Sequence, residues 1–187
     1  MLSENTYSLL PFTKEDFSAI AQRECFCYPP FDPTEDDDPV SLDTFFCKTL
    51  EDGSNAHFFR AYKLVDDADV DDILAIACIS NSSITFESYE SKPAELQGCG
   101  FNEAIPAVML IAFGVRNDCQ KQGIGSLAFR KLCNYICESS IAGVRMLMLH
   151  PLQSAVKFYQ SQGCISVIAN EYDSDVDLMY LDVWRKS

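Results

Sequence analysis

The chain reads as an α/β protein, an α+β arrangement of one mixed sheet flanked by helices, and three observations predict it. Alternating or continuous apolar runs recur along its length. One of them, Ala107–Val115, is apolar at every position, as in a central strand covered on both faces. A glycine-bearing turn joins that run directly to an amphipathic helix. With 187 residues, 48% of them hydrophobic and 22% charged, the chain can bury a full core, so residues 1–187 are expected to form a single domain.

Tyr7–Leu10 reads as the first strand. After Pro11, Thr13-Lys-Glu-Asp16 has the spacing of a helix N-cap with an acidic residue in the first turn, and the helix should run to about Glu24. Four prolines and the acidic run Glu35–Asp38 make Cys27–Pro39 a loop, and a second helix is expected over Ser41–Leu50. His57–Val65 and Asp72–Ser80 read as an antiparallel hairpin whose acidic tip, Asp66–Asp71, should be solvated and mobile. Asn81–Glu103 carries no pattern beyond a short strand near Ile84–Phe86.

Gly114, near the end of the central strand, suggests a bulge or a close backbone approach. The helix Gly123–Glu138 places Ser126, Arg130, Lys131, Asn134 and Glu138 on one side and Ile124, Ala128, Leu132 and Ile136 on another, so it should pack on the sheet. Arg145–Leu149 is the next strand, Gln153–Gln162 a short helix stopped by Gly163, and Ile165–Ala169 with Leu178–Val183 a closing strand pair. The predicted order is β-α-α-β-β-β-α-β-α-β-β.

Composition excludes several classes. A balance of 28 acidic against 14 basic residues, formal charge −14, repels phosphate backbones and attracts cationic small molecules, which disfavours nucleic acid as a partner. The nine cysteines lack paired spacing, and Met1–Pro11 has no charged-then-apolar leader, so reduced thiols and a cytoplasmic protein are expected. Cys25-x-Cys27 and Cys133-x-x-x-Cys137 have neither a second pair nor a histidine at zinc-site spacing, and no metal is expected. No apolar run approaches the roughly 20 residues that span a bilayer.

The chemistry concentrates at the turn after Val115. Gln120-Lys-Gln-Gly123-Ile-Gly125 opens a helix whose first amides lack helical partners and carry partial positive charge, a setting that stabilises an anion such as a diphosphate. Glycines there remove the Cβ atoms that would hold a phosphate away. A dinucleotide loop would need a third glycine where Ala128 stands, and a P-loop would need Gly-Lys-Ser/Thr where the chain has Gly123-Ile-Gly-Ser.

In this segment the chain resembles the GNAT acetyltransferase family, whose phosphate loop reads Gln/Arg-x-x-Gly-x-Gly/Ala directly after a central strand; Gln120, Gly123 and Gly125 fill the pattern. A second family motif, Ala-x-x-Phe-Tyr followed by Gly-Phe, is similar to Ala155-Val-Lys-Phe158-Tyr159 with Gly163-Cys164. The resemblance implies a sheet splayed between strands four and five, with acetyl-CoA as co-substrate. Its pantetheine arm would lie on Phe113, Gly114 and Val115, and its diphosphate on Gln120, Lys121, Gln122, Gly123, Ile124, Gly125 and Ser126. Two positions depart: Leu152 stands where the family often has asparagine, and Cys164 where it has phenylalanine.

By the same resemblance Tyr159 would protonate the leaving thiolate, and a backbone amide near Phe113 and Gly114 would meet the oxyanion. The general base stays open among Glu103, ahead of the central strand, Glu171, Asp173 and water. His150 and His57 read as structural. A primary amine, small or cationic, is the acceptor that the acidic charge favours. Ile76-Ala-Cys-Ile-Ser80 and Ile105-Pro106 ahead of Met109–Val115 also resemble the toxin-type members that acetylate charged tRNA. A catalytically silent acyl-CoA-binding module is the alternative from another class, and a homodimer stays open.

Overall fold

The computed structural model describes residues 6–21, 45–85, 104–139, 143–167 and 178–184. In chain order the elements are β1 (Tyr7–Pro11), α1 (Lys14–Ala21), a π-helical turn (Phe45–Thr49) running into α2 (Leu50–Asn55), β2 (Arg60–Asp66), β3 (Asp69–Ile84) and β4 (Ile105–Val115). Then come α3 (Ile124–Ser139), β5 (Met146–Leu149), α4 (Val156–Ser161), β6 (Ile165–Val167) and β7 (Leu178–Asp182). This is the order predicted from the sequence. The strands form one seven-stranded mixed sheet, β1-β2-β3-β4-β5-β7-β6, in which β4 and β5 are parallel. By contacts the chain divides into two compact units, residues 1–80 with 111–132, and 81–110 with 133–187.

In the first unit β1, β2 and β3 are antiparallel neighbours. The register slips between Leu64 and Val65, because Leu64 faces Ala75 but Val65 faces Ile73, leaving Leu74 as an extra residue. That bulge changes the inside-outside phase of β3. Ile73 and Ile76, three apart, therefore share one buried cluster with Phe17 of α1, Leu50 of α2 and Ala112 of β4. Leu74 and Ala75 join the other, under Ile124, Leu127 and Ala128 of α3. A second slip, between Val65 and Asp66, leaves Val70, Asp71 and Asp72 out of register.

α1 starts as its sequence predicts: the Thr13 amide donates to Asp16 Oδ2 at 2.7 Å, one half of a capping box. Asp16 Oδ1 meets Lys63 Nζ of β2 at 2.6 Å, and Lys63 also donates to the Val70 carbonyl at 3.3 Å; both side chains are buried. Removing one partner strands the other charge in the core. Lys63→Met is expected to cost about 3–5 kcal/mol, and adding Asp16→Leu to recover most of that loss, as read by denaturant unfolding.

In the second unit β5 is paired on both sides, with Ala107–Leu110 of β4 and with Met179–Asp182 of β7, and β6 adds outside β7. Ile84, Ile105, Ala107, Met146, Met148 and Tyr180 pack one face, while the register partners Leu149 and Met179 are buried on the other. α4 ends in a Schellman turn. Gly163 takes φ 89°, Cys164 N–H donates to the Tyr159 carbonyl and Gly163 N–H to that of Gln160, both at 3.0 Å.

Several expectations need correction. The hairpin turn is the pair Asp67-Ala68; Asp69, Val70 and Asp71 belong to β3, which runs on as one strand to Ile84 in place of a separate short strand at Ile84–Phe86. Phe86 lies outside the described residues. The second helix extends beyond Leu50 to Asn55, and His57 does not open a strand. It occupies the left-handed position (φ 59°) that closes α2, with Phe58 N–H bonded to the Gly53 carbonyl, and β2 begins at Arg60. The helix expected over Gln153–Gln162 is a 3-10 turn, Gln153–Ala155, followed by α4. The loop at Cys27–Pro39, the start of the second helix at Ser41 and the end of the first at Glu24 lie outside the described residues.

Among the described residues no helix is long and apolar enough to cross a membrane. The described thiols are free, and burial pushes those of Cys133 and Cys164 up to about 12, so they stay protonated at neutral pH.

Candidate functional site

β4 outruns β5. Their parallel pairing covers Ala107–Leu110 against Met146–Leu149, and β4 continues through Ile111–Val115. β5 ends before His150 and Pro151, and proline has no N–H with which to extend a ladder. The expectation that β4 is covered on both faces fails over this stretch. Ile111 is 44% exposed, and Phe113 and Val115 are half-buried against the cluster under α3, whereas Ala112 is buried. An apolar strand end left partly open is a surface on which a flexible apolar chain can lie.

The turn that follows is tightly braced. Asn117–Cys119 form a 3-10 turn, Lys121 and Gly123 take left-handed backbones (φ 58° and 87°), and α3 begins at Ile124. Glycine is favoured at 123, because φ 87° lies beyond the narrow left-handed range in which a side chain such as that of Lys121 is tolerated. Leu127 N–H bonds the Gly123 carbonyl at 3.0 Å, in helical register. The amides of Ile124 and Gly125 come before it, where helix geometry supplies no carbonyl partner.

The glutamines brace the turn. Gln120 Nε2 donates to the Val115 carbonyl and to Asn117 Oδ1, each at 3.1 Å, and Gln122 Nε2 donates to the Asp118 carbonyl at 2.6 Å. Gln120 therefore acts on the loop through its side chain. Lys121 is exposed, while Ser126 and Gly125 are half-buried.

Arg116, which the motif reading passes over, anchors the other end of the turn. Its Nε donates to Asp118 Oδ1 at 2.6 Å, and its terminal nitrogens bond both oxygens of Asp72 and the Ile73 carbonyl. Those bonds, to Asp72 first and Asp118 second, raise the guanidinium above its already high range, and the bond from Arg116 holds the Asp118 carboxyl below the ordinary one. The sequence signal was a cation at the end of an apolar strand in a strongly acidic chain. Its partner Asp72, far off in sequence, was not legible.

Tyr159 belongs to the second unit. It is buried in α4, its ring edge-on to Phe158 at 5.1 Å, and its carbonyl is held by the Schellman turn. The Ala155–Tyr159 and Gly163-Cys164 pattern is thus one helix plus its stop. His150 is exposed, and Leu152 is 47% exposed. Glu103, Glu171 and Asp173, the side chains considered as base, lie outside the described residues.

A mixed sheet in this strand order, with β4 running into a glycine turn and α3, is the fold of the GNAT acetyltransferases. Solved structures similar to this chain include AtaT complexed with acetyl-methionyl-tRNAfMet, at 18% identity, TM-score 0.69 and 94% coverage of both chains. A tyrosine-to-phenylalanine mutant of KacT matches at 20% identity and TM-score 0.67 over 95% of each chain. AtaTR bound with AcCoA matches at 19% identity and TM-score 0.65, covering 96% of this chain and 94% of that one. No family model matches the sequence, and no curated protein matches it.

Proposed function

We propose that residues 1–187 act as one N-acetyltransferase domain, which takes acetyl-CoA as co-substrate and passes its acetyl group to an amine by direct attack on the thioester. The observation that carries this reading is the left-handed turn at Gly123, which opens α3 beyond the strand end Ile111–Val115. It is supported by likeness along nearly the whole chain to a structure bound with AcCoA. Phe113, Gly114 and Val115 would line the pantetheine arm, and the segment from Gln120 to Ser126 the diphosphate, with the amides of Ile124 and Gly125 directed at it.

In the reaction the amine lone pair forms the C–N bond as the C–S bond breaks. The thiolate leaves with a proton from the Tyr159 phenol, and the surplus proton on nitrogen passes to Glu103 or to water.

Two observations point to different acceptors. The likeness to AtaT, solved with acetyl-methionyl-tRNAfMet, favours the amino group of an aminoacyl-tRNA. The formal charge of −14 favours a small cationic amine. We give the first reading precedence, because net charge governs encounter and a local surface can offset it.

Labelled acetyl-CoA offered separately with charged tRNA, polyamines, aminoglycosides and amino acids decides between them. Label in tRNA alone supports the first reading, and label in polyamines or aminoglycosides alone replaces it with the second. A melting temperature raised by acetyl-CoA with no acceptor ever labelled makes the protein a silent acyl-CoA-binding module.

A further inference from the structure

A continuous chain of bonds leads from β3 to Gly123. Asp72 holds Arg116, Arg116 holds the Asp118 carboxylate, and the Asp118 carbonyl accepts from Gln122, the residue before Gly123. Leu74, the extra residue of the β3 bulge, accepts the Arg116 amide on its carbonyl at 2.9 Å, and the Ile73 carbonyl beside it accepts the Arg116 side chain at 3.2 Å.

We propose that Arg116 is the positioning residue of the diphosphate cradle: clamped between Asp72 and Asp118, it fixes the turn 117–123 so that the amides opening α3 are already in place when the ligand arrives. The proposal rests on the acetyl-CoA reading above. Four of the five guanidinium N–H donors are engaged within the protein, so Arg116 acts through the loop and not as a phosphate ligand. Its charge is offset by two carboxylates. Lysine cannot replace it, because a single ammonium does not reproduce the planar fork that reaches both carboxylates and a carbonyl.

Position and charge predict opposite signs for one substitution. Asp118→Asn removes a negative charge beside an anion site, which by electrostatics alone strengthens binding. The amide oxygen that replaces the carboxylate is a weaker acceptor for Arg116, so the clamp slackens and binding weakens. Titration calorimetry with acetyl-CoA is expected to show affinity about tenfold lower in Asp118→Asn and in Arg116→Lys, with melting temperatures within a few degrees of the wild type. Hydrogen exchange should be about tenfold faster at the amides of residues 119–125 and unchanged in β2 and β5.

Equal or tighter binding by Asp118→Asn overturns the proposal, as does loop exchange at the wild-type rate. If the wild type does not bind acetyl-CoA, the acetyltransferase reading falls, and the exchange rates by themselves decide whether the clamp sets the loop.

Discussion

Gly123→Val is expected to weaken acetyl-CoA binding by about a hundredfold or more while the protein still folds. Gly123 sits at φ 87°, and a β-branched residue there costs roughly 1–2 kcal/mol if the turn is kept. The turn will rearrange instead, since Lys121 is already left-handed and the segment is exposed. Rearrangement takes the amides of Ile124 and Gly125 out of place, and restoring the turn would set a valine side chain where the proposed diphosphate has to approach; at roughly 1.5–3 kcal/mol for each hydrogen bond to a charged group, losing two accounts for the drop. Calorimetry with acetyl-CoA checks it, with circular dichroism to confirm the fold. Binding at wild-type strength would show that the diphosphate is held elsewhere.

Tyr159→Phe should leave acetyl-CoA affinity within a factor of about two but lower turnover by roughly 10²–10³-fold on whichever acceptor the wild type uses. In the proposed reaction the phenol donates its proton only as the C–S bond breaks, so its loss would act on the transition state and spare the ground state. The ring is buried against Phe158 and its backbone is fixed by the turn at Gly163, so phenylalanine fills the same space. A single-turnover measurement at saturating acetyl-CoA separates the two effects. Unchanged turnover would return Tyr159 to a packing role and leave the leaving group to water.

The helical elements were legible to the extent that their signals are local. The Thr13–Asp16 cap, the amphipathic face of α3 and the stop at Gly163 each lie within a few residues, and each has the conformation its residue types favour. The hairpin tip is shorter than its composition suggests, because a run of aspartates resembles a loop although Asp69, Val70 and Asp71 are in β3. The place of His57 is not legible, because a histidine in left-handed backbone leaves no mark in the sequence where glycine or asparagine would.

The expectation of a fully covered β4 came from its unbroken apolar run. Such a run cannot tell a strand sheathed by protein from one whose end is left partly open.

The residues themselves determined the order of elements and the glycine turn between a buried strand and a helix, because backbone preference and hydrophobic period act within a few residues. Only the tertiary structure decided which residues of β4 pair with β5, and that Arg116 is tied to Asp72 across the Leu74 bulge. Strand register and long-range ion pairs are set by which surfaces meet after collapse, and no short stretch of sequence carries that information.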